Sequence, residues 1–146
     1  MNHDREFSDW FGGSQIVDKF GNPLRVYHGS VNSGFTTFKT MTPVRPRTGP
    51  DGFYFTSDKN AAANYQYDRE RKSRGELITA YLSIWNPLDI TKDVKKFQKA
   101  KMTFGAAKAK ALEKLGPEHD GVRFAGNNLN PDDIIALRPE QIWIVR

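Results

Sequence analysis

Tyr27-His28-Gly29-Ser30, Gly52-Phe53-Tyr54-Phe55-Thr56 and Asn60-Ala61-Ala62-Ala63-Asn64-Tyr65 follow one another in the first half of the chain. The first reads as a strand ending in His-Gly, the second as a Gly-aromatic-Tyr-aromatic strand, the third as a short Ala-rich helix ending in Tyr. Together they describe a slot for a flat, amide-bearing heterocycle. Tyrosine faces stack on rings, and a glycine leaves its backbone open for hydrogen bonds.

Around this centre the pattern is one of mixed short elements. Residues 4–11 predict a helix that presents Phe7, Trp10 and Phe11 at i, i+3 and i+4, ended by Gly12-Gly13. Asp18 to Pro23 reads as a turn and Leu24 to His28 as a strand. Thr40 to Asp51, with Pro43, Pro46 and Pro50, is a loop carrying Arg45 and Arg47. Phe53 to Thr56 is a strand, and Ser57 or Asp58 caps a helix expected to run through Tyr65 towards Arg71. Leu77 to Ile84 alternates as a strand. Thr91 is a candidate cap for a Lys-rich helix that Gly105 splits or bends, and strands follow at 121–124, 133–137 and 141–145. Without regular alternation of strand and helix, the expectation is a single α+β domain over residues 1–146.

Composition bounds the function. The chain has 146 residues, 38% hydrophobic, with no apolar run long enough to cross a bilayer. Its start lacks the basic and apolar stretches of a signal peptide, so none is expected. Zero cysteines exclude disulfides and Cys-ligated metal, and fit a reducing compartment such as the cytoplasm. The net charge of +5 is local: from Lys92 to Lys114 eight lysines face only Asp93 and Glu113. Such a segment attracts nucleic acid or acidic protein surface. A solvated lysine face on a helix is the plainer reading of the same pattern. His119-Asp120-Gly121 reads as a turn into a strand, and with no clustered ligand spacing no metal is expected.

Beyond the three opening motifs, Trp10-Phe11-Gly12, Val17-Asp18 and Gly21-Asn22-Pro23-Leu24 come before them. Tyr81-Leu82, Asn86-Pro87, His119-Asp120-Gly121 and Pro139-Glu140-Gln141-Ile142 come after. In this order they resemble the ADP-ribosyltransferase domains of phage polyvalent proteins. More distantly they resemble the His-Tyr-Glu group of poly(ADP-ribose) polymerases and diphtheria-type toxins. The resemblance implies split antiparallel β-sheets with flanking helices that grip NAD between them, and the host cytoplasm as the compartment if the protein is phage-encoded.

It also implies roles. His28 orients the dinucleotide through a ribose, and Gly29 offers its backbone to the nicotinamide carboxamide. Tyr54 and Tyr65 hold the ring, and Glu140 is the acid. Where the polymerases carry a serine three residues before the helical Tyr, this chain has Ala62, which shifts weight to Gly29 or Ser30. Glu140 and Gln141 point to opposite faces if they lie on a strand, and Glu140 is the preferred acid. Arg45 and Arg47 are candidates for the NAD pyrophosphate, or plain exposed loop arginines.

The activity implied is mono-ADP-ribosyl transfer from NAD to a protein or nucleic-acid acceptor. The alternatives are NAD hydrolysis by the same residues, or a non-catalytic nucleic-acid-binding module on the same fold. A glycosidic bond that breaks with positive charge on the sugar needs a fixed carboxylate beside it in either enzyme.

Overall fold

A computed structural model describes residues 3–30, 49–68, 70, 72–126 and 131–145. Arg45, Arg47 and most of the Pro-rich loop lie outside these residues.

Helix α1 (His3–Phe11) ends at Gly12, whose φ of +48° disfavours any residue with a side chain, and whose missing Cβ makes room for the Trp85 ring. α1 lays Phe7 against Tyr81 and Trp143, with ring centroids 5.2 and 5.3 Å away. After the turn at 18–23, strand β1 (Val26–Ser30) begins two residues later than the sequence pattern suggests. Strand β2 (Phe53–Thr56) falls where the sequence reading put it.

Helix α2 (Lys59–Ala63) starts at Asp58, whose carboxylate accepts from the Asn60 N–H. It stops at Asn64, well short of Arg71, because the chain turns into a small hairpin of β3 (Tyr67–Asp68) and β4 (Ser73–Arg74). Strand β5 (Glu76–Leu82) buries Ile78, Ala80 and Leu82 in strict alternation.

Strand β6 (Pro87–Asp89) was not legible as a strand in the sequence. Asp89 Oδ1 accepts from both the N–H and the hydroxyl of Thr91, so Asp89 organises the start of α3 (Thr91–Lys99) where Thr91 was the expected cap. The helical break comes at 100–103 rather than at Gly105. Thr103 caps α4 (Phe104–Leu112), and Gly105 lies in its first turn. Strands β7 (Gly121–Phe124), β8 (Asp133–Ala136) and β9 (Ile142–Ile144) complete the chain, with a 3-10 turn at Pro139–Gln141 between the last two.

Seven strands make one curled mixed sheet in the order β6-β7-β8-β2-β1-β5-β9. All neighbours are antiparallel except β6 and β7, which run parallel. This is an α+β fold of the kind expected, with two differences: the strands form a continuous sheet, and its β6 edge is parallel. The split is local. β1 pairs with β5 at five positions but with β2 only at Tyr27↔Thr56, so β1 and β2 part beyond that pair.

One face of the sheet buries Ile16, Val26, Phe53, Phe55, Leu82, Ile84 and Ile134. On the other, α3 and α4 cover Val122, Phe124 and Ile135 with Val94, Ala107 and Ala111. Among the described residues, no helix is long and apolar enough to cross a membrane.

Candidate active site

A cavity of about 500 Å³ opens at the parting of β1 and β2 and runs beneath α4. That volume suits a small-molecule site. His28, Gly29, Tyr54 and Tyr65 all line it, so four of the six residues singled out in the sequence meet at one cavity.

Gly29 is there because nothing larger fits. A Cβ at this position would sit 2.0 Å from the Ala62 carbonyl oxygen and 3.1 Å from the Tyr65 Cβ. The end of α2 therefore packs directly on the β1 backbone, which sets Tyr65 at the cavity rim with 71% of its surface exposed.

By alternation His28 leaves β1 on the face opposite Tyr27 and Gly29, towards the Phe55 ring at 5.4 Å. It still borders the cavity, because its Nδ1 lies 2.7 Å from the Tyr54 carbonyl oxygen across the parting strands. Burial lowers its pKa, opposed by that backbone bond, so the ring is neutral near pH 7. A carbonyl only accepts, so Nδ1 carries the hydrogen and Nε2 is the acceptor.

The Tyr54 hydroxyl donates to the Pro50 carbonyl oxygen at 2.6 Å. Burial, helped by Asp51, pushes its pKa up to about 12, so it stays a protonated phenol.

Glu140 and Ser30 are not brought to this cavity. Ser30 is buried at the end of β1 and does not line it. Glu140 is exposed on the 3-10 turn, with Oε1 3.1 Å from Arg138 Nε, while its backbone oxygen accepts from Trp10 Nε1. The register explains the separation. Ile142 is level with Leu82 and His28 with Ile78, so the start of β9 lies roughly 13 Å along the sheet from the His28 row. Gln141 does not take its place: its buried amide accepts from the Leu137 and Arg138 N–H groups and donates to the Asp120 oxygen.

Among the described residues, the carboxylate that lines the cavity is Asp133, at the start of β8. It is in register with Thr56, which is itself in register with Tyr27, so the three share one row and one face. Burial raises its pKa, and Lys108 opposes that from α4, Nζ to Oδ2 3.6 Å. The signal for it was present in the sequence. Asp132-Asp133 opens the apolar run Ile134-Ile135-Ala136, and Lys108 interrupts an i, i+4, i+8 stripe with Phe104 and Leu112.

His119 and Asp120 form the turn read from the sequence: Asp120 accepts from the Trp85 and Asn86 N–H groups, and His119 Nδ1 from the Gly116 N–H. Among the described residues no three His, Asp or Glu side chains group as a metal site would require.

No curated protein matches the chain. The family described as the ADP-ribosyltransferase in polyvalent proteins does, over residues 18–145, a span that takes in the parted strands, the cavity and Asp133. The chain belongs to that ADP-ribosyltransferase family.

Proposed function

We propose that this protein is a mono-ADP-ribosyltransferase that cleaves NAD at its nicotinamide–ribose bond, with Asp133 as the acid, and passes ADP-ribose to a macromolecular acceptor. One observation carries the reading: a single cavity is lined by His28, Gly29, Tyr54, Tyr65 and, among the described residues, one carboxylate, Asp133.

In the reaction the C–N bond breaks with its electron pair leaving on nicotinamide, and positive charge develops on the ribose. An anionic Asp133 stabilises that charge, in a site where partial burial strengthens the effect over bulk water. The Gly29 backbone and the Tyr65 ring hold the leaving group. The neutral His28 ring offers Nε2 as an acceptor for a ribose hydroxyl, fixed by its Nδ1 bond to Tyr54. Lys92, Lys95, Lys96, Lys99 and Lys101, all exposed, favour an anionic acceptor such as nucleic acid or an acidic protein surface.

The test is nicotinamide release from NAD labelled in its ADP-ribose part, with and without host lysate. Asp133→Asn is expected to slow it by about 100-fold or more. Glu140→Gln, removing an exposed ion pair, is expected to stay within about twofold of the wild type. Full activity in the Asp133 variant overturns the assignment. Label recovered only as free ADP-ribose marks the protein as a hydrolase rather than a transferase.

A further inference from the structure

We infer that Lys108 is a positioning residue for the reaction: its ammonium, turned from α4 into the cavity, holds the Asp133 carboxylate in its anionic, reactive form. The inference rests on the reading of Asp133 as the acid.

Eight lysines lie between Lys92 and Lys114, and seven of them are exposed. Lys108 alone among them is half-buried, with 24% of its side chain exposed, and lines the cavity with its helix neighbours Phe104 and Leu112. Lys114 instead pairs with Asp93 at 2.7 Å on the helix surface, and Lys110 covers the Phe97 ring. A lysine in the middle of an otherwise apolar helix stripe forfeits burial of an apolar side chain there, and an ion pair to Asp133 is what this position offers in return.

Among the described residues, the other groups around Asp133 do not supply a positive charge. Its strand neighbours are Thr56 on β2 and Phe124 on β7. Across the parted strands, Tyr27 is uncharged and His28 neutral. The adjacent Asp132 is negative, and its own cation, Arg123, is engaged with it at 3.3 Å and with the Gln15 and Val17 carbonyls. Burial and Asp132 both push Asp133 towards its protonated form, and Lys108 is the nearby group that opposes them. Protonated, the side chain would lose the charge that stabilises the developing positive ribose.

The experiment compares the wild type with Lys108→Gln, Lys108→Met and Lys108→Arg. The pH profile of kcat for nicotinamide release is expected to have its acidic limb moved up by about one pH unit in the two neutral variants, and returned by arginine. A limb that stays put in both neutral variants, or moves as far with arginine, overturns the inference.

Carbon-detected NMR titration of the Asp133 carboxyl in the full chain gives a readout that needs no turnover. Its midpoint should rise in Lys108→Gln, and an unchanged midpoint is fatal whatever the kinetics. Failure of the acid assignment shows separately. In that case Asp133→Asn keeps its rate, while the carboxyl midpoint still answers to Lys108.

Discussion

Asp133 holds the central tension of the site at the scale of one residue. Burial makes its folded form bind a proton more readily than the unfolded chain does, even with Lys108 beside it. A carboxyl with a raised folded pKa contributes stability below its unfolded pKa and loses it as pH rises through the folded value, so at neutral pH the charge is a cost. Asp133→Asn should therefore melt higher than the wild type at about pH 7, by up to a few degrees, with the gain shrinking as pH falls towards about 4. Calorimetric melting at both pH values checks this, and an equal or lower Tm at neutral pH contradicts it. The sequence reading preferred Glu140, whereas Asp133 is the carboxylate found at the cavity, and the difference has a physical reason. Glu140 and Asp133 both stand at strand entrances in sequence, and only the pairing of β8 with β2 puts one of them on the row of Thr56 and Tyr27.

Among the elements, α2 is the one on which the site most depends. It has five residues, too few for a helix to persist without its cap and its packing on Gly29. Asp58→Ala removes the carboxylate that accepts from Asn60 and should cost about 1 kcal/mol. Faster amide exchange over residues 60–65 is expected, with a higher KM for NAD because Tyr65 hangs from the end of this helix. Denaturant unfolding and hydrogen exchange measure the two effects, and unaltered exchange in this segment argues against the cap's role. Of the strands at the sheet centre, β2 and β8 were legible from the sequence almost to the residue, and β1 and β5 to within two. Helix ends were less so. Asp89, outside the helix, organises the start of α3, and the chain reverses after Asn64 for reasons that lie in the following hairpin.

For the whole molecule, the sheet has to keep its curl with β8, the 3-10 turn and the loop before β7 in fixed relation. Gln141 ties them, joining the backbone of Leu137 and Arg138 to that of Asp120 from a site only 4% exposed. Gln141→Leu fits the space but leaves three backbone groups without these partners, a loss of about 2–4 kcal/mol. Chemical denaturation should show it as a lower midpoint at unchanged m, while the folded fraction keeps its NAD cleavage. A midpoint at the wild-type value would contradict the bridging role.

The sequence by itself determined the α+β class and the central strands, because periodicity is a local property of the chain, and its strand and helix contexts marked His28, Gly29, Tyr54 and Tyr65 as parts of one slot. Only the tertiary structure decided which carboxylate joins them and which lysine faces it. Those choices depend on strand register and on the docking of α4, contacts between residues far apart in the chain, whereas the local pattern only marks Asp133 and Lys108 as charges within apolar runs and does not pair them.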